Sequence, residues 1–228
     1  MRKKTRQAIA GALLLALAVA FAGSATLAAG LPSGENAAAS VKVVHWKTTI
    51  TEKRGRAQVT WSNENWLKAE NKWRSESSDN TLMIWNGPQR WEYTKQANKY
   101  TYRNDPKQEC RYSRMEFLPD HIAAVELKKN SKATVAKTAV VQNGAKYACL
   151  EVREPASGLN GPRHIRMLAE PRSGLVKEKI TQTFSLDGTM VVQEEHTEYE
   201  YSKQDIPDSF FIFQAPDGAK EANWGNGK

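Results

Sequence analysis

The sequence predicts a mainly β protein of the α+β class, folded as a long antiparallel meander. Turn signals recur along the 228 residues, for example at Asn86-Gly87, Asn143-Gly144 and Asp187-Gly188. The segments between them are rich in Val, Ile, Thr, Trp and Tyr, which suit a pleated surface. No regular alternation of strands and helices appears, and this argues against a parallel sheet. With 40% hydrophobic and 25% charged residues, the composition is that of a globular chain.

The first element along the chain is a predicted export signal. Residues 1–29 begin with basic side chains and contain no acidic one, continue with an apolar run at 8–22, and end in small residues. This order is typical of a secretory signal peptide, and the apolar run is shorter than the ~20 residues that span a bilayer. The sequence therefore predicts a soluble mature protein, periplasmic or otherwise exported, without an integral membrane span. Cleavage after Ala22 and cleavage between Ala28 and Gly30 both remain open.

The body of the protein is predicted at 41–220, after a short lead-in at 30–40 and before a disordered tail at 221–228. A turn of helix is expected near 35–40. One internal helix is expected at 119–130, with Asp120 as its N-cap and Ile122, Val125 and Leu127 as its apolar positions. The expected strands cover 41–52, 56–68, 71–78, 81–86, 90–95, 99–103, 134–141, 145–153, 163–169, 175–185, 190–201 and 210–214.

The hairpin around Asp187-Gly188 allows a prediction residue by residue. A two-residue turn places Leu186 opposite Thr189 and fixes every pair beyond it, with one solvated face and one largely apolar face. In this register Glu195 points away from the acidic residues around it, so the acidic run at 194–200 predicts no metal site. The predicted pairs are Lys177–Glu198, Lys179–His196 and Thr181–Glu194 on the solvated face, and Val176–Tyr199 and Phe184–Val191 on the apolar face.

Aromatic side chains supply most of the candidate ligand-binding residues. The chain has seven tryptophans and seven tyrosines, and several of them recur at period two, which places them on one face of a strand. Core packing is one interpretation, and a wide concavity for an apolar ligand is the other. The candidates are Met83, Trp85, Trp91, Tyr93, Tyr100, Tyr102, Phe184 and Tyr199.

Catalytic motifs are absent from the sequence. It has no Gly-x-Ser-x-Gly elbow, His-Glu-x-x-His, phosphate-binding loop or Gly-x-Gly-x-x-Gly. We therefore expect no enzymatic activity, no cofactor and no metal, with an exported hydrolase retained as a third functional class. Without residues 1–29 the net charge falls from +8 to about +4. That charge and export argue against a nucleic-acid partner, although aromatic and basic residues alternate at 91–103.

The two cysteines, Cys110 and Cys149, form the candidate disulfide. An even count in an oxidising compartment favours one bridge between them. Two free buried thiols are the alternative.

Four short motifs follow one another within residues 41–220. Residues 66–77 contain a Lys-x-Arg-x-Glu strand centred on Arg74, and 84–93 contain a Gly followed by Trp-x-Tyr. Residues 147–155 end in Pro155, and 206–219 form a Phe-rich segment that closes in Pro-x-Gly-Ala. In this order the motifs resemble the outer-membrane lipoprotein-sorting family of the LolA/LolB type, whose relatives include RseB-like regulators.

The resemblance implies an incomplete antiparallel β-barrel, a curved sheet whose concave apolar face is covered by a short helical lid. It also implies non-covalent binding of acyl chains, with Arg74 near the mouth of the cavity, where it affects ligand release. The leading prediction is a soluble carrier for lipoprotein acyl chains or another lipid-bearing ligand. The alternative is an envelope-stress sensor of the RseB-like type, which would act through an envelope protein partner.

Overall fold

The computed structural model describes residues 34–68, 71–107 and 114–222. In this part the chain forms one curved, non-closed sheet of twelve strands with two α-helices, which confirms the predicted fold class. The predicted signal peptide, Cys110 and most of the predicted tail lie outside these residues. The strands are β1 (Val43–Arg54), β2 (Ala57–Lys68), β3 (Lys72–Ser77), β4 (Thr81–Asn86), β5 (Gln89–Thr94), β6 (Lys99–Asn104), β7 (Thr134–Gln142), β8 (Ala145–Glu154), β9 (Arg163–Ala169), β10 (Val176–Phe184), β11 (Val191–Ser202) and β12 (Lys220–Glu221), and the helices are α1 (Gly34–Ser40) and α2 (Pro119–Lys129).

Strands that are adjacent in the sheet are mostly adjacent in sequence. The order is β12-β6-β5-β4-β3-β2-β1-β11-β10-β9-β8-β7, so the first strand lies in the middle of the sheet, beside β2 and β11. The pairs are antiparallel except for the short β12, which runs parallel to β6. The backbone takes positive φ at Asn80, Asn98 and Asn143, in turns where asparagine tolerates that conformation. Because β7 and β12 remain as edges, the barrel stays incomplete.

The main hydrophobic core lies on one face of the sheet, which we term the inner face. α2 and the 3-10 turn Arg114–Phe117 pack against this face. Phe117 contacts both Trp46 and Tyr199, with ring centroids 5.7 and 5.8 Å apart. The core continues across neighbouring strands through buried side chains that include Val44, Leu67, Trp73, Trp85, Leu150, Val152, Ile165 and Met167.

The opposite, outer face is covered in part by the C-terminal segment, residues 203–219. Phe211 of this segment is fully buried, and Phe210 contacts Trp66 edge to face at 5.3 Å. A predicted strand at 210–214 is wrong, because the chain instead forms a 3-10 turn at Asp208–Phe211 and resumes strand pairing only at β12. Pro207 fixes its own φ and precedes this turn, so the segment leaves the sheet instead of extending it.

The internal helix begins two residues earlier than the predicted N-cap, Asp120, requires. Leu118, in an extended conformation, is the N-cap, and Pro119 occupies the first helical position, which suits proline because that residue has no N–H to satisfy. The prediction of Asp120 as N-cap is therefore wrong. Its carboxylate lies in the first turn, where it pairs with Lys137 at 2.6 Å. The apolar positions were also predicted only in part, because Leu127 is 39% exposed whereas Glu126 is buried.

A bulge in the β10–β11 hairpin changes most of the predicted pairs. Phe184 pairs with Val191 as predicted, but Thr183 pairs with Gln193, which leaves Val192 as an extra residue in β11. Beyond the bulge each β10 residue faces a β11 residue one position further along the chain. The predicted pairs Lys177–Glu198, Lys179–His196, Thr181–Glu194 and Val176–Tyr199 are therefore wrong, and the observed pairs include Glu178–Glu198, Lys179–Thr197, Ile180–His196 and Thr181–Glu195.

Candidate ligand-binding cleft

A cleft of about 520 Å³ lies between α2 and the inner face of the sheet. Its floor comes from the central strands β1, β2, β10 and β11, and its roof comes from α2 and the 3-10 turn before it. The volume falls within the ~300–1,000 Å³ that is usual for small-molecule sites. The lining residues are Trp46, Thr48, Ile50, Asn63, Asn65, Glu116, Phe117, His121, Ile122, Val125, Glu126, Lys129, Lys179, Glu195, Thr197 and Tyr199.

Part of the cleft wall is aromatic and aliphatic. Trp46 and Tyr199 are directly paired across β1 and β11, so their side chains share the inner face. Phe117 packs edge to face on Tyr199 from the roof. Ile122 of α2 is half-buried against the same cluster. This wall offers apolar surface on both the sheet side and the lid side of the cleft.

The cleft floor also carries a row of polar side chains. Asn63, Thr48, Thr197 and Lys179 pair in succession across β2, β1, β11 and β10, so they lie side by side on the inner face. The Thr48 and Thr197 hydroxyls are 3.0 Å apart and share a hydrogen bond. Both threonines are buried. The inner face is therefore polar at the cleft floor, whereas the resemblance implies an apolar one.

Lys179 brings a positive charge to the end of this row. Its ammonium group lies 3.5 Å from the Glu195 carboxylate. Burial alone would lower the pKa of Lys179, but Tyr199 and Glu195 together outweigh burial and raise that pKa above its usual value. Burial in turn raises the pKa of the Tyr199 hydroxyl, against the opposing effect of Lys179. At neutral pH the floor therefore presents an ammonium group beside a neutral phenol.

The lid helix is tied to the sheet by a pair of buried carboxyl groups. Glu126 of α2 and Glu154 of β8 have side chains only 10% and 8% exposed. Arg163 of β9 donates to both, at 3.5 Å to Glu126 and 3.1 Å to Glu154, and Lys129 donates to Glu126 at 2.8 Å. This cluster holds α2 against β8 and β9 at the side of the cleft.

The two carboxyl groups of this cluster have opposite pKa shifts. Burial and the hydrogen bond to Glu126 raise the pKa of Glu154. Burial would also raise the pKa of Glu126, but hydrogen bonds from Lys129 and Glu154 lower it below its usual value. Of the two carboxyl groups, Glu154 therefore binds a proton more readily than usual, and Glu126 less readily.

Three of the predicted ligand-binding residues lie on the inner face. Tyr199 lines the cleft. Trp85 is buried in the core, edge to face with Trp73 at 6.2 Å, and Met83 packs against the same core. Neither Trp85 nor Met83 is among the lining residues of the cleft.

Five of the predicted residues lie on the outer face instead. Arg74 pairs across β3 and β4 with Ile84, which pairs with Trp91, and Trp91 pairs with Tyr102, so all four side chains point away from the cleft. Tyr93 and Tyr100 share that face and both contact Phe213, at 5.8 and 5.2 Å between ring centroids. The C-terminal segment thus covers part of this aromatic group. A ligand role for these residues stays a prediction.

Arg74 connects the outer face to the C-terminal segment. Its guanidinium donates to Glu76 at 2.8 and 2.6 Å and to the backbone carbonyl of Phe210 at 3.1 Å. It also stacks over the Phe210 ring, 4.5 Å from the centroid. The predicted place of Arg74 near the mouth of a cavity and its role in ligand release stay predictions.

The two remaining predicted residues, Phe184 and Cys149, lie in strands β10 and β8, outside the cleft. Phe184 is half-buried at the end of β10, next to the bulge. Cys149 is buried in β8 and unbridged, and its expected partner Cys110 lies outside the described residues. The disulfide therefore stays a prediction.

Most of the cleft residues were not predicted from the sequence. Thr48, Asn63 and Lys179 are far apart along the chain, and only the strand register aligns them. The sequence contains a partial signal for the cleft floor. Trp46, Thr48 and Ile50 recur at every second position of one strand and so share a face, on which a polar residue lies between two apolar ones.

The described ranges contain neither a metal-binding cluster nor a helix that could span a membrane. Across 34–68, 71–107 and 114–222, no group of three or more His, Cys, Asp or Glu is placed to hold a metal ion. The helices within the same ranges are all too short or too polar to cross a membrane.

Comparison with solved structures finds similar folds at low sequence identity. An uncharacterised conserved protein from Thermus thermophilus is 8% identical, with 83% of this chain and 94% of that chain covered and a TM-score of 0.48. A LolA superfamily protein from Nitrosomonas europaea is 8% identical, with 79% and 98% covered and a TM-score of 0.31. A putative outer membrane lipoprotein-sorting protein domain from Vibrio parahaemolyticus is 8% identical, with 80% and 95% covered and a TM-score of 0.30.

Two of these three proteins carry the name of the lipoprotein-sorting family that the sequence motifs resemble. No family model and no curated protein matches the chain. At such TM-scores the likeness carries no information about a ligand.

Proposed function

We propose that the protein is an exported carrier that holds the acyl chain of a lipid-bearing ligand, such as a lipoprotein, in the cleft between α2 and the sheet. The observation that supports this most is the cleft itself, which lies on the inner face beneath a single covering helix. The signal-peptide pattern of residues 1–29 supports a place of action outside the cytoplasm.

The apolar wall favours a chain-like ligand. Trp46 and Tyr199 line the floor of the cleft, and Phe117 and Ile122 line its roof. Phe117 packs directly on Trp46 and Tyr199, so an acyl chain would lie along this continuous apolar wall. Each buried methylene contributes about 0.8 kcal/mol, so about eight of them supply about 6 kcal/mol before the cost of ordering the chain. That gain is enough for reversible binding, which a carrier requires.

An experiment with a lid variant tests the proposed binding site. A fluorescent apolar probe is bound to delipidated protein and displaced by a long-chain acyl ligand, with affinities compared among variants. Ile122→Trp places a larger side chain into the cleft and is expected to weaken binding of both probe and ligand by about tenfold or more. The control is Leu127→Trp, because Leu127 lies on the same helix, is 39% exposed and does not line the cleft.

The outcomes separate the carrier from the sensor. Weaker binding in Ile122→Trp with unchanged binding in Leu127→Trp supports the carrier and a ligand under the lid. A probe that fails to bind, or acyl ligands that fail to displace it, would contradict the carrier proposal. Native mass spectrometry of purified mature protein gives a second test, since co-purifying lipid supports the carrier and a stoichiometric protein partner supports the RseB-like sensor.

A further inference from the structure

The charges around the cleft indicate which polar end of an amphiphile it accepts. Among the described lining residues, three are carboxylates and two are ammonium groups: Glu116, Glu126, Glu195, Lys129 and Lys179. Both ammonium groups have a carboxylate partner, because Lys129 bonds to Glu126 at 2.8 Å and Lys179 lies 3.5 Å from Glu195. A ligand anion would have to compete with these carboxylates for the same ammonium groups.

The polar row on the floor supplies hydrogen bonds to a head group that carries no charge. Thr48 and Thr197 have hydroxyls that each donate and accept, and Asn63 adds an amide that does both. Lys179 adds donors at one end of the row, and Glu195 beside it adds acceptors. Hydroxyl and carbonyl oxygens match this mixture of donors and acceptors, whereas a carboxylate head group can only accept.

On the basis of the proposed carrier function, we infer that the cleft selects amphiphiles with an uncharged, oxygen-rich head group over fatty-acid anions of the same chain length. The head lies against the Asn63–Thr48–Thr197–Lys179 row, and the chain lies against the apolar wall. Glu195 is the residue that determines specificity, because its carboxylate both occupies Lys179 and repels an anionic head.

The test compares three ligands with twelve carbon atoms in the chain, each below its micelle concentration: 1-monododecanoylglycerol, dodecanoate and dodecyltrimethylammonium. Dissociation constants are measured near pH 8, where a carboxylic acid of pKa about 4 is ionised. Because the chain is the same, differences in affinity report on the head group. We expect the glyceride to bind about tenfold more tightly than dodecanoate, a difference of about 1.4 kcal/mol.

Two variants of β11 separate the role of Glu195 from a general effect of charge. Glu195→Gln keeps the size of the side chain and removes the negative charge, so dodecanoate should gain affinity and the preference for the glyceride should fall about threefold or more. Glu194→Gln is the matched control, since Glu194 is adjacent, exposed and on the outer face opposite Gln182. It removes the same charge from the protein and should leave the ligand preference unchanged.

The outcomes for the head group and for the carrier function are distinguishable. If dodecanoate binds as tightly as the glyceride, or if Glu194→Gln changes the preference as much as Glu195→Gln does, the head-group inference is wrong while the carrier proposal stands. Tightest binding of dodecyltrimethylammonium would also overturn it, because the carboxylates would then act as a cation site. If none of the three ligands binds, both proposals fail.

Discussion

Replacing Glu154 with Gln tests how protonation of this buried carboxyl contributes to stability where the lid helix meets the sheet. Glu154 is 8% exposed, accepts a hydrogen bond from Arg163 and has a raised pKa. Glutamate titrates near pH 4.3 in an unfolded chain, so a raised pKa in the folded protein favours the protonated form there. Its contribution to stability is fully present below about pH 4.3 and is lost as the pH rises through the folded pKa.

The magnitude follows from the size of the pKa shift. Each unit by which the pKa is raised costs the wild-type protein about 1.4 kcal/mol of unfolding free energy at a pH above the folded pKa. The side-chain amide in Glu154→Gln keeps the size of the side chain, has both an N–H donor and an oxygen acceptor, and does not titrate in this range. The unfolding free energy of Glu154→Gln minus that of the wild type should therefore increase between about pH 4 and about pH 7.

Urea unfolding followed by tryptophan fluorescence at several pH values measures this difference. Glu198→Gln, which removes an exposed carboxylate from the outer face, serves as the control. Glu126→Gln should give the opposite slope, because the pKa of Glu126 is lowered and its contribution is present above about pH 4.3 and lost as the pH falls. If the difference in unfolding free energy between Glu154→Gln and the wild type is the same at every pH, the pKa of Glu154 is not raised and the reasoning fails.

Three further predictions concern the outer face and the cysteines. Lys68 and Lys72 lower the pKa of Asp208 to about 2, so NMR should show its carboxyl titrating near that pH. The contribution of Asp208 to stability should be lost as the pH falls toward that value. Lys68→Met should move the pKa of Asp208 back toward its usual value. Arg74→Leu should lower the unfolding free energy by about 1–2 kcal/mol, because it removes charged hydrogen bonds to Glu76 and Phe210. If the unfolding free energy is unchanged and the ligand is released faster, the predicted role of Arg74 near the cavity mouth is favoured instead. If Cys110 and Cys149 form a disulfide, mass spectrometry should find the unreduced exported protein lighter than the reduced protein by the hydrogen lost from each thiol. Two thiols that react freely with an alkylating reagent in the native protein would exclude the disulfide.

The sheet could be predicted because its signals are local. Turns such as 143–144 and 187–188 are marked by asparagine, aspartate and glycine, and the positive φ of Asn143, Gly144 and Gly188 is the physical reason. Eleven of the expected strands coincide with observed ones to within about two residues, the usual uncertainty of strand ends. The strand expected at 210–214 failed because β-rich composition does not reveal that a segment packs on a sheet face instead of joining its edge.

The cleft could not be predicted in the same way because it depends on contacts between distant strands. The row from Asn63 to Lys179 requires four strands in one register, and a bulge decides which face of β10 points inward. Most of the candidate residues are aromatic, and aromatic side chains occur in the inner core, on the outer face and in the cleft alike. Tyr199 is the candidate that lies in the cleft, since it happens to pair with Trp46 beside the lid.

The bulge at Thr183 also makes ligand preference depend on the length of one strand. Deleting one residue between Ile180 and the bulge would shift the register by one position, so that Ile180 would face Glu195 and Glu178 would face Thr197. The ammonium group would leave the cleft, and an isoleucine and a carboxylate would enter it together. A homologue could thus acquire a different cargo through the loss of a single codon, with its strand order and lid helix intact.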